Sequence, residues 1–162
     1  MATITFKKGD EYIAKINKLS RSFRESVAGP AIFVAAGLIT DAIDERLASI
    51  PTDESWGSET DPAKGPREAQ ARAVYNSLGI AKMQDDNGFL NVKIGFDGYN
   101  SLRSSRWPNG QPNQMVARSI ERGTYFMKAN PFVKPALAST RGMALKKMKT
   151  VVDQQIQEIM KG

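Results

Sequence analysis

The chain has 162 residues, of which 41% are hydrophobic and 25% are charged, a composition typical of one folded domain with a sizeable core. It contains no cysteine and no histidine, which excludes disulfides, thiolate nucleophiles, Ser-His-Asp and Cys-His catalysis, and the commonest zinc ligands. The formal net charge of +6 is uneven, because residues 1–81 sum to −1 and residues 82–162 to +7. We therefore expect a single domain over 1–162, no enzymatic activity, no cofactor and no metal.

The first part of the chain predicts one short strand followed by two helices. Residues 2–6 alternate apolar side chains with threonine, as a strand does. Between Glu11 and Phe23 apolar residues recur at helical spacing, and a second helix is predicted over 31–48, after the Gly29-Pro30 pair. The apolar run at 28–39 is shorter than the roughly 20 residues that a membrane span needs. We predict a core helix and no membrane.

A hairpin is predicted between two long loops. Residues 51–68 are rich in proline, glycine and acidic side chains without any period, which indicates a long loop insertion. The Asn87-Gly88 pair stands between two apolar stretches, 78–84 and 89–96, and is a strong signal for an antiparallel hairpin with one buried face. Residues 98–113 are rich in serine, asparagine, glycine and proline and predict the second loop.

Short helices are predicted over 67–75 and 114–122, and 124–128 is a candidate strand. Pro131 and Pro135 bracket a predicted rigid connection, and a long amphipathic helix is expected from about Thr140 to Met160. Helices with an antiparallel hairpin give α+β as the class. We expect a small antiparallel sheet packed against the N-terminal helices and the long C-terminal helix.

Acidic side chains cluster in the loops but lack the spacing of a metal site or a paired acid and base, so we interpret them as solvated. No phosphate-binding glycine motif is present either, and we expect no small-molecule substrate. These acidic residues are Asp53, Glu54, Glu59, Asp61, Asp85 and Asp86.

Two segments near the C-terminus carry a resemblance. The run Ile120-Glu121-Arg122-Gly123-Thr124 precedes Asn130-Pro131-Phe132-Val133-Lys134-Pro135-Ala136-Leu137, which leads into a basic amphipathic helix. This pattern resembles the tail-completion (neck, head-tail joining) proteins of long-tailed bacteriophages, in which a Glu-aromatic-Gly-Thr segment is followed by Pro-Phe-x-basic-Pro-Ala-Leu. Arg122 replaces the usual aromatic residue, and residues 54–72 have no counterpart in the family pattern.

The resemblance implies a structural virion protein, made in the cytoplasm of the host bacterium and located in the neck or tail. It implies a homo-oligomeric ring, a hexamer, at the head-proximal end of the tail, which joins tail to head and lets DNA pass. Its expected neighbours are the tail terminator or tail tube and a head-completion (stopper) or portal-adaptor protein. The alternatives are a tail terminator ring protein and a small basic nucleic-acid-binding protein.

We expect the functional residues to form interfaces. Large aromatic side chains on loops often anchor contacts, and a proline-flanked apolar segment can brace a helix. The interface candidates are Trp56, Trp107, Phe132 and Pro135. Clustered arginines attract phosphates, so the candidates for non-specific contact with genomic DNA or for an acidic partner are Arg103, Arg106, Arg118 and Arg122. In a ring, loop 51–68 or loop 98–113 is predicted to pack against the sheet or helices of the next subunit.

Overall fold

The fold is described by a computed structural model over residues 9–162, with side chains from residue 11 onward. The strand predicted over residues 2–6 lies outside the described residues. The first element is a long continuous helix, made of α1 (Gly9–Ser22), a π-helical segment (Phe23–Ala28) and α2 (Gly29–Ala48). Both predicted helices are therefore present, but they form one continuous helix with no break at Gly29-Pro30.

The π-helical segment explains how a proline sits inside this long helix. Pro30 has no N–H, and its ring would collide with the carbonyl four residues earlier in a regular α-helix. One extra residue in the turn before it changes the hydrogen bonding, so that the N–H of Gly29 donates to the carbonyl of Arg24, five residues back. Such single-turn π segments accommodate local conflicts of this kind.

The last element, α5 (Val133–Lys161), packs along the long helix in the opposite direction. We call this antiparallel arrangement of α1, α2 and α5 the helix pair. The side chains buried along it are mostly small, which brings the two backbones close together. They are Val27, Ala31, Ala35, Ala36, Thr140 and Ala144.

Residues 49–132 form the base, which covers one end of the helix pair. Two short helices, α3 (Glu68–Ser77) and α4 (Asn113–Arg122), match the two predicted short helices. The core lies where the base meets the ends of α2 and α5. Its buried members include Ile43, Leu47, Val74, Val116, Ile120 and Phe132.

The predicted hairpin is confirmed, in two antiparallel pieces. β1 (Leu78–Ile80) pairs with β4 (Ile94–Phe96), and β2 (Gln84–Asp86) pairs with β3 (Phe89–Asn91). Between the pieces the first strand has one residue more than the second, a β-bulge that divides the ladder. Asn87 (φ 55°) and Gly88 (φ 95°) have the left-handed backbone that a two-residue hairpin turn needs.

The hairpin tip is fastened to the long helix. Arg24, in the π-helical segment, forms an ion pair with Asp85, and its guanidinium also donates to the carbonyl of Gly88 at 3.1 Å. The acidic side chain of Asp85, interpreted from sequence as merely solvated, therefore holds the hairpin alongside the helix pair.

Two boundaries differ from the prediction. Residues 124–128 form no strand, only a single parallel bridge between Met127 and Ala63. The terminal helix begins at Val133 and not near Thr140, so Pro135 lies in its first turn and not in a rigid connection. A proline is tolerated there because the N–H groups of a first helical turn have no partner within the helix. The α+β class, with an antiparallel hairpin and a long C-terminal helix, is confirmed.

The helical stretch Glu11–Ala48 is long and apolar enough, by length and composition alone, to cross a membrane. Its most apolar window has a mean hydropathy of 1.7, and 33% of that window is buried within the chain. The core helix of a soluble protein passes the same test. The predicted core helix is therefore buried only on part of its surface.

Candidate functional site

The two segments that carry the resemblance meet in the fold. The carboxylate of Glu121, near the end of α4, accepts hydrogen bonds from the backbone N–H groups of Phe132 (2.7 Å), Val133 (2.8 Å) and Lys134 (3.0 Å). These N–H groups lie at the start of α5, where a helix leaves its donors without internal partners. Glu121 therefore caps the N-terminus of α5, although it lies at least eleven residues earlier in the sequence.

The electrostatics of Glu121 follow from this cap. Partial burial on its own raises the pKa of the carboxyl group, but the three backbone donors and the charge of Lys134 outweigh burial, so the pKa lies below its usual 4.5. The carboxylate is charged at neutral pH and faces the positive end of the helix dipole. Sequence reasoning included Glu121 in the motif but assigned it no role, because its partners lie in a later segment.

Phe132 is a core residue and not a surface anchor, which corrects its assignment to the interface. Its side chain is 1% exposed, and its ring meets that of Phe96 edge to face, with centroids 5.9 Å apart. Pro135 is half-buried in the first turn of α5. The proline-flanked segment therefore braces α5 within its own chain: the start of the helix is capped, and Phe132 is inserted into the core.

The loop after α2 is tightly fastened, and two of its acidic side chains do the fastening. Asp53 accepts hydrogen bonds from the backbone N–H groups of Ser55 and Lys64, both at 2.9 Å, and these donors lower its pKa from 3.8 to about 2. Glu54 accepts from the N–H of Glu68 (2.8 Å) and forms an ion pair with Arg67 (3.2 Å). The solvated interpretation is therefore wrong for Asp53 and Glu54.

Trp56 projects from this loop and is 72% exposed. The guanidinium of Arg67 lies 4.3 Å from its ring centroid, a cation–π contact that restrains the indole on the surface. Beside it lies a cavity of about 240 Å³, whose lining includes Gln111 and Phe126. Trp56 has the exposure and the fixed position that an interface anchor needs.

Trp107 is less exposed than Trp56. It is half-buried in the loop that precedes α4, where its backbone and that of Ser104 form reciprocal hydrogen bonds of 3.0 and 3.1 Å. The guanidinium of Arg106 lies 5.8 Å from its ring centroid. The buried side chain of Asn100 joins the two arms of this loop, because its Oδ1 accepts hydrogen bonds from the backbone N–H groups of Leu102 and Gln111. Trp107 therefore contacts its own loop on one side and solvent on the other.

The four candidate arginines form two groups. Arg118 and Arg122 are exposed one turn apart on α4, and with Lys134 they line a cavity of about 400 Å³. Arg103 and Arg106 are exposed in the loop that carries Trp107. Within residues 11–162 none of these four forms an ion pair. The fold therefore brings Arg118, Arg122 and Lys134 together around a cavity that Glu121 also lines, and the three cations leave the site positive overall.

Over the described part of the chain, no three histidine, cysteine or acidic side chains are grouped so that they could hold a metal ion. The chain was compared with protein-family models, with curated proteins and with solved structures, and nothing matches in any of the three comparisons.

One surface was missed by sequence reasoning, the outer sides of the helix pair. Phe33 is 41% exposed, Val34 37% and Met143 57%, and further large apolar side chains are exposed on α1. The available signal is that residues 29–39 of α2 are apolar on every side, whereas a helix with one covered face shows polar residues opposite that face.

Proposed function

We propose that this chain is a structural subunit of the neck of a long-tailed bacteriophage. In this proposal it is a tail-completion protein that assembles into a hexameric ring at the head-proximal end of the tail, joins tail to head and allows DNA to pass. Its neighbours are the tail terminator or tail tube on one side and a head-completion or portal-adaptor protein on the other. A tail terminator ring is the nearest alternative role.

The observation that carries the proposal is the coupling of the two resembling segments. Glu121 belongs to the first segment, and its three hydrogen bonds hold the backbone of Phe132, Val133 and Lys134 in the second. A pattern whose parts depend on each other physically is stronger support for a family resemblance than two unrelated short matches.

Large exposed aromatic side chains also support a role in assembly. Trp56 stands out from a loop that is fastened at Asp53 and Glu54, so that a neighbouring subunit would meet a rigid anchor. Trp107 is a second anchor in the proposal, on the loop before α4. We propose that one of these loops packs against the sheet or helices of the next subunit in the ring.

Imaging of phage particles tests the proposal directly. Particles are purified from cells that carry a phage with this gene intact or deleted, and the fraction of DNA-filled heads joined to tails is scored. Separate heads and tails after deletion, with the protein located at the neck of intact particles, is the expected result. Normal infectious particles without the protein would refute the neck role.

A small basic nucleic-acid-binding protein is the second candidate, favoured by the positive site of Arg118, Arg122 and Lys134. A dedicated DNA-binding protein releases counterions, so its affinity falls steeply with salt. Affinity of the purified chain for duplex DNA, measured over a range of salt concentrations, separates the two candidates. Tight binding with a steep slope, reduced in Arg118→Gln/Arg122→Gln, favours this second candidate over the neck proposal.

A further inference from the structure

The accessible surface of the chain is much larger than that of a compact monomer. It measures 11435 Å², whereas a compact monomeric protein of 17.8 kDa exposes about 8,000 Å². Even if residues 1–10 contributed their full unfolded surface, about 1,600 Å², the excess is still about 1,800 Å². A standard protein–protein contact covers about 800 Å² on each partner. The excess is therefore larger than the area that one copy covers in one such contact.

Part of the exposed surface of the helix pair is apolar. Large apolar side chains are exposed along the long helix and α5, and they include Tyr12, Ile16, Phe23, Phe33, Val34 and Met143. Two packed helices can cover only the sides that face each other, and the base covers only one end. Monomeric soluble proteins rarely expose large contiguous apolar patches.

The outer faces of α2 and α5 are complementary in charge. On α2, the exposed Asp41 and Glu45 lie seven and eleven residues after Val34, on the same side of the helix. On α5, the exposed Lys146 and Lys149 lie one and four residues after the exposed Leu145, on the side away from the buried residues of this helix. Each face thus combines an apolar position with two like charges, and the charges are opposite on the two faces.

We propose that a second copy of this chain covers these faces, with the outer face of α2 in one copy packed on the outer face of α5 in the next. Because the two faces differ, the contact is head-to-tail and can continue around a ring. The inference names the surface through which copies meet in the proposed ring, and in that respect rests on the proposed function. The association of purified copies can be measured without any phage.

The test is self-association of the purified full chain by sedimentation velocity over a range of concentrations up to about 100 µM, where contacts with Kd near 10 µM are populated. Val34→Asp places a charge in the proposed contact and is expected to raise the dissociation constant at least tenfold. Its helix content and melting temperature are measured alongside, since Val34 is 37% exposed and its substitution leaves the core of the chain in place.

Charge reversal tests the pairing of faces. Asp41→Lys/Glu45→Lys and Lys146→Glu/Lys149→Glu should each raise the dissociation constant at least tenfold, because each sets like charges against each other. The quadruple variant, with both faces reversed, should return to within a few fold of the natural chain. For comparison, Glu59→Lys/Asp61→Lys makes the same charge change on the loop that carries Trp56. Association of this variant shows whether that loop, itself a proposed contact, takes part.

Three results would overturn the inference. One is a natural chain that stays monomeric throughout the concentration range. Another is loss of association in the Glu59→Lys/Asp61→Lys variant while both helix reversals associate normally, which would assign the contact to the loop. The third is a monomeric chain that floats with vesicles of neutral and anionic phospholipid and loses this binding in Val34→Asp, which would make a membrane the occupant. None of these results depends on the imaging of phage particles, so the neck role is judged separately.

Discussion

Replacing Glu121 tests whether the start of the C-terminal helix depends on a side chain from α4. In Glu121→Ala, three backbone donors at the start of a 29-residue helix lose their acceptor. Loss of a capping side chain costs about 0.5–2 kcal/mol, and the upper end applies here because the acceptor is charged and serves three donors. We expect about 2 kcal/mol, which lowers the melting temperature by about 4–8 °C for a chain of this size.

Glu121→Gln separates the charge from the shape. The amide keeps one acceptor oxygen but loses the negative charge near the helix N-terminus, so we expect about 1 kcal/mol of destabilisation. Thermal and guanidinium unfolding followed by circular dichroism measure both variants. The control is Glu158→Gln on α5, because within residues 11–162 the side chain of Glu158 makes no hydrogen bond or ion pair. The melting temperature of this control variant should equal that of the natural chain.

The pH dependence of the Glu121→Gln effect follows from the sign of the pKa shift. The folded-state pKa lies below the usual 4.5, so the charged carboxylate stabilises the fold above that value and the contribution is lost as pH falls through the folded-state pKa. The gap between the natural chain and Glu121→Gln should be widest near neutral pH and should close in acid. A gap that is constant with pH, or Glu121→Ala with the stability of the natural chain, would refute the reasoning.

Three further substitutions test the remaining assignments. Phe132→Ala removes a fully buried ring and should lower the free energy of unfolding by about 3–5 kcal/mol, measured with denaturant. A variant with unchanged stability but weaker assembly would instead assign Phe132 to an interface. Gly65→Ala would overlap the carbonyl oxygen of Pro51 and should lower the melting temperature, unless the loop can shift at no cost. Trp107→Ala should leave the chain folded and weaken its assembly, as measured by sedimentation; loss of folding would assign Trp107 to the core.

The hairpin shows what local sequence can predict. Asn87 and Gly88 both adopt left-handed backbone angles, which few other residue pairs tolerate together, so their sequence alone indicates the turn and its position. The bulge between the two ladders was not predicted. The alternation of apolar residues in the second strand is regular, and the extra residue lies in the first strand, where Ala81, Lys82 and Met83 have no clear pattern.

The start of α5 shows why a local signal can mislead. From the sequence, Pro135 is predicted to end a rigid connection, because proline disrupts the interior of a helix. The helix nevertheless begins at Val133, because Glu121 supplies an acceptor for the first N–H groups and Phe132 fixes the entry of the chain in the core. Both partners depend on how α4 packs, which no window around Pro135 contains.

For the candidate site, the sequence predicts the exposure of an aromatic side chain only where the local segment alone decides that exposure. Trp56 lies in a long polar loop, and its exposure was expected from that position. Phe132 lies in a short connection between α4 and α5 but is buried, because Phe96 of the hairpin provides a partner for its ring. Which aromatic side chain finds a partner is decided by the packing of distant segments.

The apolar character of α2 is the feature that a single copy of the chain explains least. A helix that packs against one neighbour needs apolar residues on one side, and polar residues elsewhere keep it soluble. In α2 the side toward α5 is covered, yet Phe33 and Val34 lie outside that contact and remain exposed. Apolar residues on both sides of a helix indicate neighbours on both sides, and at Phe33 and Val34 the described part of the chain leaves the second side exposed. A subunit of a ring would obtain the second neighbour from the next copy.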